Sequence, residues 1–193
     1  MLGLKMATDP RWVNIAEKTI EEILVDHAFC EQKAATSGIS LIVRFSNYPS
    51  IVEKVSPIVA EEWGHFRKVL KELNTRGYTL GKPRKDDYVK ELQKFTIKGG
   101  NINTHIVEAL LVCAMIEARS CERFRLLSLH VSDDALKSFY HEFMVSEAGH
   151  YRLFIDLAEE FGDKSYVKER WDAFLEFEAD LVSRLEYRGD RVH

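Results

Sequence analysis

The stretch that decides the fold is "EWGHFR", residues 62–67, which returns as "EAGHYR" at residues 147–152. Both read Glu, any residue, Gly, His, aromatic, Arg. Each lies in a long segment with apolar residues every three or four positions, the period of a helix buried on one side. On a helix, residues i and i+3 share a face. Glu62 with His65 and Glu147 with His150 therefore each present a carboxylate and an imidazole in one direction.

The repeat extends outward from these strings. A glutamate interrupts the apolar stripe of the segment preceding each: Glu31 lies 31 residues before Glu62, and Glu117 lies 30 residues before Glu147. The surroundings also match, Glu31-Gln-Lys-Ala against Glu117-Ala-Arg-Ser. The chain thus reads as two helical hairpins of one design. The first helix of each gives one Glu and the second gives Glu-x-x-His.

Four carboxylates and two imidazoles are the donor set of ferritin-like di-iron or di-manganese carboxylate bundles. Oxygen donors with one nitrogen per metal suit iron or manganese, and the donors are too many for one structural zinc. Four carboxylates in one apolar core would repel each other and cost several kcal/mol apiece to desolvate. Two divalent cations cancel that charge. The expected fold is all-α: a ferritin-like four-helix bundle with accessory helices, its di-iron site in the bundle core. The expected domain organisation is one domain over 1–193.

Element boundaries follow from breaks in the pattern. The first long helix is expected from near Arg11, after Asp9 and Pro10, to Phe45, and "SNYPS" (46–50) is a turn. The second runs from about Ser50 to Arg76, with Pro57 either kinking it or marking a later start. A loop (76–87) leads to a short basic helix at 86–98. The third long helix covers 102–129. The fourth covers 133–161, with Ser132 as the expected N-cap and Gly162 as its end. A last amphipathic helix covers 164–187.

Other residues on these faces have competing readings. Glu108 also points along the apolar third helix and rivals Glu117, which the repeat favours. Glu122 reads as a supporting or solvated carboxylate. His27, one turn before Glu31, is either a packed core histidine or a hydrogen-bond partner of that ligand. Cys113 and Cys121 flank Glu117 and are expected to line the site without coordinating, and Cys30 reads as a small core residue. Trp63 and Phe66 read as packing. Gly64 and Gly149 cost about 1 kcal/mol each inside helices, and a close approach by a neighbouring helix or substrate would account for them.

Composition narrows the classes. The 193 residues are 46% hydrophobic and 30% charged, with net charge −4, so no global basic field announces a nucleic-acid partner. No apolar run reaches membrane-spanning length. Asp9, Pro10 and Arg11 precede any apolar stretch, so no signal peptide is expected. Three cysteines without a Cys-x-x-Cys pair suggest reduced thiols and a cytoplasmic protein. They also argue against a peroxidase carrying its own rubredoxin-like relay.

Four strings carry a resemblance: "DHAFCEQKAA" (26–35), "EEWGHF" (61–66), "IEARSCERF" (116–124) and "SEAGHY" (146–151). Together they resemble the helix motifs of the tRNA-(2-methylthio-N6-isopentenyladenosine) hydroxylases, over roughly residues 20 to 160. "IEARSCERF" is the most specific of them. The resemblance implies a non-haem di-iron monooxygenase. Such an enzyme uses O2 and an external electron donor to hydroxylate the isopentenyl side chain of a modified adenosine next to the anticodon of tRNA. It implies Glu31, Glu62, His65, Glu117, Glu147 and His150 as iron ligands. The alternative function is a ferritin-like iron-handling or peroxide-scavenging protein.

For tRNA, the expected docking stripe is Lys90, Lys94 and Lys98, extended by Arg84 and Lys85, with Tyr78 or Tyr88 receiving the unstacked base. The C-terminal Arg184, Arg188 and Arg191 form the second choice.

Overall fold

A computed structural model describes residues 2–83, 86–185 and 192. Of the expected docking residues, Arg84, Lys85, Arg188 and Arg191 lie outside the described residues. Seven helices and no strand occur among those described: α1 (Arg11–Lys18), α2 (Ile20–Arg44), α3 (Pro49–Thr75), α4 (Asp87–Phe95), α5 (Ile102–His130), α6 (Asp134–Phe161) and α7 (Lys164–Arg184). No helix is long and apolar enough to cross a membrane among the described residues. The helices fall into two compact units.

One unit is built on the hairpin α2–α3, with α1 packed on α2. Helix α2 buries Leu24, His27, Ala28, Glu31, Ala35, Gly38 and Leu41. Helix α3 buries Ile51, Val55, Ile58, Glu62, Phe66, Val69 and Leu73. Steps of three and four residues put each set on one face, and burying each large apolar side chain contributes about 1.5–3 kcal/mol. The two helices pack tightly at Gly38, where a Cβ would lie 2.6 Å from Cγ2 of Val59. Any larger residue would push them apart.

The expected single helix from Arg11 is broken at Thr19. Its φ of −131° and ψ of 41° leave the helical region. Its N–H bonds Ala16 O at 3.0 Å, one residue short of the α-helical partner. Pro57 does not mark a later start: α3 begins at Pro49, where the missing N–H has no intrahelical role. Pro57 and Glu53, whose carbonyl loses its partner, are both exposed, so the freed carbonyl faces solvent and not an apolar core. The C-terminus of α3 closes by a double bond, Gly77 N to Asn74 O (3.1 Å) and Tyr78 N to Leu73 O (2.9 Å). Gly77 takes φ +76°, the left-handed residue this closure requires.

The other unit pairs α5 with α6 and packs α4, α7 and residues 2–10 around them. Helix α5 is buried around most of its circumference. Asp133, not Ser132, caps α6, accepting from Ala135 N at 2.9 Å and Leu136 N at 3.2 Å. Gly162 ends α6 because space demands it: a Cβ there would lie 2.9 Å from Val167 and 3.0 Å from Val107.

Ion pairs buried in this unit tie the accessory elements to α5. Arg119, fully buried, donates to both oxygens of Glu178 on α7 at 2.7 and 2.9 Å. It also reaches Met6 O and Glu122, while Thr8 donates twice to Glu122. Tyr88 of α4 donates to Glu178 at 3.1 Å. Glu108 takes a two-point bond from Arg170 (2.6 and 2.9 Å) and the Ile97 N–H (2.9 Å).

Candidate metal centre

Each hairpin carries half of a donor set. In the α2–α3 unit, Glu31, Glu62 and His65 bring donor atoms within 4.8 Å of one another. The Nδ1 of His65 stands 3.4 Å from Glu31 Oε2 and 3.5 Å from Glu62 Oε2. In the α5–α6 unit, Glu117, Glu147 and His150 bring theirs within the same 4.8 Å. There the Nδ1 of His150 lies 3.9 Å from Glu147 Oε2. The periodicity that buries Val55, Ile58 and Phe66 also turns Glu62 inward. His65 follows one turn later on the same side.

All four glutamates are buried, at 6% exposure or less, amid apolar side chains. Burial, followed by the charge of Glu62, raises the pKa of Glu31 well above the ordinary carboxylate range. Burial opposes a charge on His65. The bonds and charges of Glu31 and Glu62 outweigh it and lift that imidazole to about 10. The two carboxylates thus favour a protonated His65 beside them, at the point where a divalent cation would satisfy all three groups. Two oxygens and one nitrogen per hairpin form a hard donor set that fits such a cation. Either cluster could hold a metal ion.

His27 belongs to this arrangement and is not merely packed. Its Nε2 lies 2.7 Å from Glu31 Oε1. Burial, then the charge of His65, lowers its pKa to about 3, so it is a neutral imidazole. A neutral ring with Nε2 protonated donates to Glu31 and leaves Oε2 toward His65. The i, i+4 spacing was the signal for this contact; a histidine on an apolar face reads the same way until its neighbour is known to be buried.

The rival glutamates have other tasks. Glu108 is consumed by Arg170 and Ile97, and Glu122 anchors Thr8 and Arg119. Cys113 and Cys121 remain thiols: burial and then the Glu117 charge push them to about 12 and about 11. Trp63 is not packed away as expected but 49% exposed, its ring 4.9 Å from that of Phe66. Gly64 and Gly149 are exposed, and among the described residues a Cβ on either would meet nothing within 4 Å, so no described helix approaches them closely.

The described lysines of the expected docking stripe are engaged within their own segment. Lys90 pairs with Asp87 (3.1 Å) and Lys94 with Glu91 (2.6 Å). Lys98 lies past the end of α4, its Nζ held by Gln93 O and Thr96 Oγ1. Tyr88, 2% exposed, has no room to receive a base. Arg184 is paired with Asp180 at 2.8 Å.

Two helical hairpins, each with Glu followed by Glu-x-x-His on its buried face, define the ferritin-like class of all-α carboxylate proteins. A solved structure described as Protein 43 with aldehyde deformylating oxygenase activity from Synechococcus shares the fold. It matches with a TM-score of 0.92 and 32% identity, over 98% of this chain and 94% of that one. Within the class, the chain belongs to the family described as tRNA-(MS[2]IO[6]A)-hydroxylase (MiaE), whose model matches residues 2–193. It is 33% identical to the tRNA 2-(methylsulfanyl)-N(6)-isopentenyladenosine(37) hydroxylase of Pseudomonas putida, over 91% of this chain and 84% of that protein. The protein of the same name from Salmonella typhimurium is 31% identical over 68% of this chain and 47% of its own length.

Proposed function

We propose that this protein is an O2-dependent di-iron hydroxylase of tRNA. Its substrate is the isopentenyl side chain of 2-methylthio-N6-isopentenyladenosine next to the anticodon. The observation that carries the reading is the duplicated buried donor set, Glu31, Glu62 and His65 with Glu117, Glu147 and His150, in a member of this family. The family match over residues 2–193 supports reading the chain as one domain.

Two ferrous ions held by these six residues would supply the oxygen-activating chemistry that inserts one atom of O2 into an unactivated C–H bond. The balance is one C–H bond, one O2, two electrons and two protons giving one alcohol and one water. In this reading an external donor supplies the electrons, and the reaction runs in the cytoplasm. The chain's own groups do the rest. Glu31 and Glu62 share charge with His65, and His27 fixes the orientation of Glu31. The neutral Cys113 and Cys121 keep the surroundings of Glu117 free of a competing thiolate.

The test is nucleoside analysis of tRNA bearing the isopentenylated base after incubation with iron-loaded protein, a reductant and O2. A product heavier by one oxygen on the side chain is expected. Iron uptake far beyond two per chain, with no change in the nucleoside, would overturn the reading in favour of iron handling.

A further inference from the structure

The outward face of α3 differs from the rest of the helical surface. Several exposed helical cations elsewhere sit beside an acid three or four residues away: Lys90 with Asp87, Lys137 with Asp134, Lys168 with Asp172. Arg67 and Lys71 are exposed and have no ion pair among the described residues. They are four residues apart, so their like charges repel and weaken the helix slightly. At 100° per residue, Trp63, Gly64, Arg67, Leu70, Lys71 and Asn74 fall within an arc of about 120° and about 17 Å of helix. That arc contains no carboxylate. Arg67, Leu70, Lys71, Asn74 and Thr75 line a shallow depression on it.

Trp63 lies at one end of this face, its indole half exposed. It is the neighbour in sequence of Glu62 and two residues from His65, so the face begins directly behind the metal ligands of this hairpin. Gly64 leaves the helix backbone bare beside it, and nothing among the described residues fills that space. An exposed aromatic plane followed by two uncompensated cations and an amide is the chemistry that receives a nucleic-acid strand. Bases stack on the ring, and phosphates meet the guanidinium and ammonium groups.

We infer that the face of α3 from Trp63 to Asn74 is where the RNA substrate docks, Trp63 stacking on an unpaired base and Arg67 and Lys71 holding the adjoining phosphates. This rests on the tRNA reading above. The paired lysines of α4 have no such role.

The test measures binding of fluorescently labelled tRNA to the iron-loaded full chain across a salt series, alongside iron content, helix content and hydroxylation. The variants are Arg67→Gln/Lys71→Gln, Trp63→Leu, and the control Lys90→Gln/Lys94→Gln. The first is expected to lose about tenfold in affinity at moderate salt, and to lower the slope of log affinity against log salt by about 1.5. Trp63→Leu is expected to lose about tenfold with the slope unchanged. The control is expected to match the parent. If the parent hydroxylates tRNA while the Arg67/Lys71 variant keeps iron, affinity and slope, the docking face is refuted and the tRNA reading stands. If that variant binds tRNA normally but needs more of an acidic electron-donor protein, the face serves that protein and the inference is likewise overturned. If the parent neither binds nor modifies tRNA, both the function and the docking face fall.

Discussion

The Nε2 of His27 lies 2.7 Å from Oε1 of Glu31, one turn away on the same helix, and neither side chain meets more than a trace of solvent. A neutral imidazole donating to a carboxylate holds it in one rotamer and leaves its second oxygen for a metal or for His65. Such supporting bonds typically matter 10- to 100-fold in metal affinity. His27→Phe, close in size but unable to donate, is expected to weaken iron binding by about that factor. Titration of the metal-free protein with ferrous iron under anaerobic conditions checks it. Parent-like affinity would show that packing alone positions Glu31.

Glu62 and His150 belong to different hairpins, and each is expected to be required for full loading. Metal analysis of Glu62→Ala and His150→Ala should show clear loss of iron from the parent's two per chain. Parent-like stoichiometry in both would remove them from the ligand set.

Without metal, Glu62 is a liability, because on top of the burial of Glu31 itself the Glu62 charge disfavours ionised Glu31. Glu62→Gln keeps the shape and removes the charge. After chelation this variant is expected to melt above the equally treated parent, although it binds iron worse. A lower melting temperature would mean that the carboxylate stabilises the metal-free fold through His65.

The Arg119–Glu178 pair is completely buried, so removing one partner strands a charge in an apolar setting. Arg119→Met is expected to cost about 3–5 kcal/mol, and Arg119→Met/Glu178→Met to recover much of it. Denaturant unfolding of the chelated proteins reads this directly. A double variant no better than the single would point to Tyr88, Thr8 and Met6 as the partners that matter.

Oxygen in the product is expected to come from O2, since the donor set suits oxygen activation and not hydration. Labelled O2 should place its isotope in the new hydroxyl. Label arriving from water would indicate a different reaction.

The helices and the donor set were legible because both are periodic. Val55, Ile58, Glu62, Phe66 and Val69 recur every three or four residues, and a glutamate kept twice in such a stripe at matched spacing has few roles other than a ligand. Sequence by itself therefore determined the all-α architecture and the two hairpins, and it named six candidate donors. Roles that depend on a partner far along the chain have no local period and were decided by tertiary structure. Glu108 resembles Glu117 in its stripe until Arg170, 62 residues away, is found at 2.6 Å. Tyr88 looks like a surface aromatic on a basic helix until Glu178 takes its hydroxyl. Trp63 reads as packing because a large aromatic side chain is most often buried, yet the turn of the helix that sends Glu62 inward carries the next side chain out to solvent. Whether a cation is free to meet a ligand depends on which carboxylate lies within about 4 Å of it. Folding alone sets that distance: it spends Lys90 and Lys94 on their own helix and leaves Arg67 and Lys71 open.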